Sequence, residues 1–252
     1  MLRYLVCIVF CVLASCASRK SVLVFQNKEQ IIGAVQPANV SIQVNDILSI
    51  QVSALQPELA VPYNLIPANA NQGAIQVETL KLQGYLVNQS GQINFPVLGS
   101  LQVEGKTVQE LEQLLVKLLV EGNHLLAPTV NIRLLNGKVT ILGQVARPGT
   151  YSFTEQNLSV LQALGLAGDL TIEGVRKEVL LIREQNGNRT YTTLDLTQTN
   201  WFSSEYYYIK QNDVLVVNPT GPKIKTAGYI GNAGTLLSAA SVILSMIILL
   251  TR

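Results

Sequence analysis

The chain has 252 residues, 48% of them hydrophobic and only 13% charged, with a formal net charge of +2. Soluble domains usually carry about 25% charged residues, so an ordinary cytosolic protein is disfavoured, and the near-balance of charge excludes the basic footprint of a nucleic-acid binder. A single histidine, His124, excludes a histidine-cluster metal centre.

The N-terminus has Arg3 followed by an apolar run over 5–14. A basic start and about ten apolar residues have the layout of a secretory signal and are too short to span a bilayer. The run ends Leu13, Ala14, Ser15, Cys16, which resembles the bacterial lipobox: small residues before a cysteine whose thiol is acylated. Residues 1–15 then form a lipoprotein signal peptide and Cys16 the lipidation site. The alternative is an ordinary signal peptide or anchor with a chance cysteine. Cleavage before Cys16 would remove Cys7 and Cys11, leaving no internal disulfide and no cysteine zinc site. Ala17 is not the aspartate that often retains lipoproteins at the inner membrane. Residues 16–39 are polar and weakly patterned, a tether from the lipid to the first folded unit.

Residues 40–136 read as a first unit. Ile42, Val44, Ile47, Leu48, Ile50 and Val52 mark a β-rich stretch with Asn45 and Asp46 at its turn. Pro57, Pro62 and Pro67 predict a loop. Short strands over 84–87 and 92–95 flank a turn at 88–91. Thr107 and Glu110 make a capping box for a helix whose apolar face is Leu111, Leu114, Leu115, Leu118 and Leu119, with Gly122 as its stop. Glu110 and Glu112 lie two apart on that helix and point in different directions, so a solvated surface is expected of them and not an acid/base pair.

Strands over 129–135 and 138–145 are joined by Asn136-Gly137, the favoured type I′ hairpin dipeptide and also the candidate domain junction. Residues 137–222 read as a second unit. It has a short helix over 158–166 with Asn157 as a possible cap, a hairpin about 186–188, and a last strand over 214–217. The fold class is α+β, two small β-rich units each carrying one helix. Trp201 and Tyr206–Tyr208 form an aromatic cluster, suited to sugar stacking or, more plainly, to core packing.

Residues 227–250 are uncharged and Arg252 closes the chain. As a helix, 227–252 is expected to cross a membrane. Gly231, Gly234, Ser238, Ser241 and Ser245 fall on one stripe, and bulky apolar residues occupy the other faces. Such a stripe lets helices approach closely or faces a wet lumen. A solitary tail anchor or a buried helix are the alternatives. No phosphate-cradling loop, dinucleotide motif or nucleophile elbow occurs, so no catalytic residue, metal or cofactor is expected beyond a lipid on Cys16.

The segment 44–52 (VNDILSIQV), then 84–105 (GYLVNQSGQINFPVLGSLQVEG), the capped helix and the strand 128–135 resemble a polysaccharide export domain. The segments 139–153, 158–170 and 209–219 are similar to one SLBB (soluble-ligand-binding β-grasp) domain. The chain thus resembles the Wza-type outer-membrane polysaccharide export lipoproteins. The resemblance implies a lipid-anchored protein of the bacterial outer membrane with an export domain and a β-grasp-like SLBB domain in the periplasm. It further implies a homo-oligomeric ring, an octamer, whose C-terminal helices form a tube for capsular polysaccharide or exopolysaccharide. An inner-membrane co-polymerase or tyrosine autokinase would be its partner, and no nucleic acid or enzymatic step is implied. Against the channel stand a non-channel glycan-binding scaffold or adaptor and a glycan-processing enzyme.

Overall fold

The computed structural model describes residues 22–26, 40–65, 82–185, 187–226 and 233–250. Strand β1 (Ile47–Ser53) alternates buried and more open positions, turning Leu48, Ile50 and Val52 inward. It is the centre of an antiparallel sheet between β2 (Tyr85–Leu86) and β5 (Thr129–Leu134). The proline-rich stretch is more ordered than the expected loop: helix α1 (Pro57–Ala60) runs into a 3-10 turn (Val61–Tyr63). Pro57 and Pro62 stand in the opening turns, where a missing N–H leaves nothing unpaired. Asn64 then lends its amide to β1, accepting from Val52 N at 2.8 Å and donating to Val52 O at 2.8 Å. A separate hairpin of β3 (Gln92–Phe95) and β4 (Gly99–Gln102) completes the strands of this domain.

Helix α2 (Val108–Glu121) starts at Thr107, and both bonds of the expected capping box form, Glu110 N to Thr107 Oγ1 and Thr107 N to Glu110 Oε2. Leu111, Leu115 and Leu119 are fully buried against the sheet. Gly122 ends the helix with an ordinary φ of −74°, and the left-handed residue is Asn123, at +56°. Glu112 is not a free surface carboxylate. Its Oε1 accepts from Ile132 N at 2.9 Å, occupying a donor on an edge strand that would otherwise invite pairing.

The second domain is a mixed sheet in the order β7-β6-β10-β8-β9, from β6 (Lys138–Gly143), β7 (Gly149–Ser152), β8 (Gly174–Gln185), β9 (Asn188–Leu194) and β10 (Val214–Pro219). Only β6 and β10 run parallel. Helix α3 (Val160–Leu166) covers the core made by Val139, Ile141, Val179, Leu181, Leu215 and Val217. Its cap is Ser159 rather than Asn157, because Gln162 stands three residues on and closes a capping box.

Asn136-Gly137 is not a hairpin turn. The strands on either side belong to different sheets, and neither residue has the positive φ that a type I′ turn needs at both positions. The expected tether to the first unit also departs from what is seen. Residues 22–26 lie along the second domain, with Phe25 N on Leu196 O at 3.1 Å and Gln26 N on Thr197 O at 2.8 Å. Phe25 meets Phe202 edge-on at 5.5 Å.

After β10 come α4 (Gly221–Thr226), tied back by Lys223 to Glu173 at 2.7 Å, and α5 (Ala233–Leu250). Of the expected span over 227–252, residues 227–232 and 251–252 lie outside the described residues. Among the described residues no helix is long and apolar enough to cross a membrane. Helix α5 has 18 residues, or ~27 Å at 1.5 Å per residue, short of the ~30 Å hydrocarbon layer of a typical bilayer.

The deepest ion pair is Arg183–Asp213, with side chains 4% and 0% exposed. The fork is bidentate, Nε to Oδ1 at 3.0 Å and Nη2 to Oδ2 at 2.7 Å, and Nη2 also donates to Tyr208 O at 2.8 Å. Replacing one partner strands a buried charge. Arg183→Met is expected to lower stability by about 3–5 kcal/mol in denaturant unfolding followed by the fluorescence of buried Trp201, and Arg183→Met with Asp213→Leu to recover most of it.

Candidate functional site

Two features stand out as candidates: the joint between the domains and the exposed C-terminal helix. The joint is made by one turn used twice. Gln43-Val44-Asn45-Asp46 leads into β1, and Lys210-Gln211-Asn212-Asp213 leads into β10. Asn45 and Asn212 both take left-handed φ, +69° and +64°, which asparagine tolerates better than most residues. Each aspartate accepts through Oδ2 from the backbone N–H three residues earlier, at 2.8 Å in both. Each aspartate's carbonyl also accepts a backbone N–H, from Val87 at 2.9 Å and from Thr140 at 3.0 Å.

Asn136 and Gln211 fasten the two turns together. The Asn136 side chain accepts from Ile47 N at 2.8 Å and donates to Asn45 O at 2.9 Å. Gln211 accepts from Lys138 N at 2.8 Å and donates to Asn136 O at 2.8 Å. Gly137 has no room for a side chain, since a Cβ there would lie 2.6 Å from Phe153 O. The expected turn asparagine is therefore a bridge. Its partner Gln211 carries no local sequence signal, because its role depends on a segment more than 70 residues away.

The two turns differ at the remaining carboxylate oxygen. Asp213 Oδ1 takes Arg183 Nε, whereas Asp46 Oδ1 has no partner although Asp46 is only 3% exposed. Burial, offset in part by the Gln43 N–H, pushes the Asp46 carboxyl from 3.8 up to about 6. Burial also raises Asp213, against the pull of Arg183. Asp46 forms part of the wall of a cleft of about 260 Å³ between the domains, to which Ser41, Thr107, Phe153 and Gln211 contribute.

The other marked residues are placed plainly. His124 packs edge-on against Tyr63 with ring centroids 5.8 Å apart. Trp201 is buried, Phe202, Tyr206 and Tyr207 pack half-buried against the second core, and Tyr208 meets Tyr207 edge-on at 4.9 Å. This is the packing role. Among the described residues no group of three or more metal-ligating side chains occurs.

Cys16 and Gly231 lie outside the described residues. Gly234, Ser238, Ser241 and Ser245 sit exposed on α5, within an arc of about 60° at 100° per residue. Ser241 Oγ donates to Ser238 O and Ser245 Oγ to Ser241 O, both at 2.8 Å, so these two hydroxyl protons are used within the helix and their lone pairs remain. The large apolar side chains described on α5 are open, from Ile247 at 52% to Leu249 at 80% exposed. Monomeric proteins seldom leave so long an apolar surface in water.

The comparisons with known proteins follow the same division. Residues 34–135 match the family described as polysaccharide biosynthesis/export protein, and residues 138–193 match the SLBB domain. The second match stops at the end of β9, although the sheet is completed by β10. One relative is the EPS I polysaccharide export outer membrane protein EpsA of Ralstonia solanacearum, 27% identical over 150 residues, which are 57% of this chain and 38% of that protein. Its namesake in Ralstonia nicotianae is 29% identical over 147 residues, 56% and 38% of the two chains. The matching part of the chain spans well under half the length of these relatives.

The Asp46 geometry fixes a pH response. A folded carboxyl raised from 3.8 to about 6 favours the folded state most below pH ~4, and that advantage is lost as pH rises through 6. Its size is about 3 kcal/mol at 1.36 kcal/mol per unit. Circular-dichroism denaturation is expected to show wild type gaining on Asp46→Asn as pH falls from 7 to 4, and flat behaviour above pH 7.

Proposed function

Because this chain belongs to the polysaccharide export family, with its export domain followed by an SLBB domain, we propose that it is a subunit of an outer-membrane conduit for capsular polysaccharide or exopolysaccharide. The observation that carries this reading is that the two matched domains precede an uncharged helix whose side faces are open to solvent. Such a helix needs lipid, copies of itself, or both, to cover its apolar surface.

The 18 described residues of α5 reach ~27 Å, and in this reading packing between copies is what shelters them. A ring of such helices would turn bulky faces to lipid and the stripe of Gly234, Ser238, Ser241 and Ser245 to neighbours or lumen, with backbone bonds satisfied inside each helix. In this reading Cys16 carries the lipid, the copies form a closed ring such as an octamer, and an inner-membrane co-polymerase or tyrosine autokinase delivers the polymer. The segment 22–26 supports an orientation. Cys16 stands nine residues before Phe25, a reach of about 30 Å. Lipid and α5 would both join the second domain, leaving the export domain farther from the membrane.

A non-channel adaptor is the second reading, favoured by the serine hydroxyls that bond within their own helix. Deletion of 233–252 separates the two. The conduit predicts loss of surface polysaccharide, with polymer trapped in the periplasm, and collapse of detergent-purified rings to smaller species in electron micrographs. Normal export by the truncated protein favours the adaptor.

A further inference from the structure

We propose that the end of the second domain remote from the export domain is a contact surface for anionic phospholipid headgroups. The proposal rests on the reading of Cys16 and α5 as membrane anchors, and names the lipid that the domain between them meets.

Strand direction places the surface. Strands β6 and β10 start at the joint, where Lys138 N donates to Gln211 and Val214 follows Asp213, and both run away from it. Strand β8 runs back and β9 outward again, so Gly143, Gly174, Leu194 and Pro219 share the far end. Both routes to the membrane leave from there. Phe25 N bonds Leu196 O just beyond β9, and Thr220 N just beyond β10 bonds Glu173 O at 2.8 Å. Six residues separate α4 from α5, a reach of at most ~25 Å.

The chemistry of that end fits a lipid surface. Leu23, Val24, Ile172 and Ile224 are exposed on it, Ile172 at 69% and Ile224 at 58%. Ile172 adjoins the Glu173 that holds Lys223. Apolar side chains beside cations are the composition of a membrane-interface surface. Lys223 neutralises Glu173 at 2.7 Å, and Arg147 and Lys177 offset Asp169 and Glu178. The surplus is cationic: Lys225 on α4, with Arg19 and Lys20 and no acid in the sequence leading from Cys16 to Phe25. After Asp213 the chain carries no Asp or Glu at all. Such a balance draws this end towards negative headgroups, by an attraction that salt weakens.

The test uses the full-length lipoprotein in nanodiscs of phosphatidylcholine alone or of an equal mixture with phosphatidylglycerol. A fluorophore is attached at Ile172→Cys or Ile224→Cys, and at Tyr191→Cys as a control, since Tyr191 is exposed on β9 opposite Ile182, towards the joint. Quenching by a headgroup spin-labelled lipid is the readout. In the mixed discs it is expected to be about threefold or more stronger at positions 172 and 224 than at 191, and Lys225→Glu is expected to lower it about twofold or more. Leu244→Cys, read with an acyl-chain spin label, reports α5 itself. Quenching at 244 with none above the control at 172 and 224 overturns the headgroup surface and leaves the conduit reading standing. Equal quenching at 172 and 224 in the two kinds of disc, or quenching unchanged by Lys225→Glu, overturns its anionic preference. Quenching at 172 and 224 with none at 244 supports the surface and counts against α5 as a membrane helix.

Discussion

A buried aspartate at the mouth of a strand costs free energy unless its oxygens find donors, and both domains of this protein are organised around that constraint. In each, the chain makes a left-handed step at asparagine, turns the following carboxylate inward onto a backbone N–H, and starts the central strand of a sheet. In the second domain Arg183 completes the arrangement, reaching across from β8 and holding the Tyr208 and Glu205 carbonyls as well. The loop over 205–210 is thereby fixed to the sheet. In the first domain no described cation reaches the matching oxygen, and Asp46 Oδ1 is one of the buried side-chain atoms left without a partner.

The joint follows from the same turns. Turns present unpaired backbone groups, and two placed close together need something to bond them. Asn136 and Gln211 do so with amides, each of which can donate and accept at once. An aliphatic residue at either position would leave two backbone groups without partners. The linker between the domains is therefore short and bonded on both sides, so the cleft beside it has a defined shape.

Local signals in the sequence were sufficient where structure is set locally. Thr107 with Glu110 announces α2, and the leucines at its helical spacing announce the buried face. Ser159 with Gln162 follows the same rule, and Asn157 competes with it only if the residue three positions on is ignored. Strand pairing is another matter. Alternation over 129–134 and 138–143 is the same whether two strands pair with each other or with others, so Asn136-Gly137 looks like a hairpin although its neighbours lie 89 and 75 residues away in sequence. Glu112 on Ile132 and Arg183 on Asp213 are also contacts across 20 and 30 residues, with no periodic trace. The docking of Phe25 on the second domain is as non-local, and a polar tether gives no hint of where it lands.

The C-terminal helix illustrates how composition and length answer different questions. The uncharged stretch over 227–250 establishes that this end of the chain avoids charge. It does not establish that one helix runs through it, and the described helix starts at Ala233. With hydroxyl protons turned back on its own carbonyls, α5 offers neighbours a slim and only weakly polar stripe. Association along such a stripe depends on van der Waals contact, which is sensitive to side-chain size. A methyl or larger group at Gly234 would separate paired helices more than loss of a serine hydroxyl would.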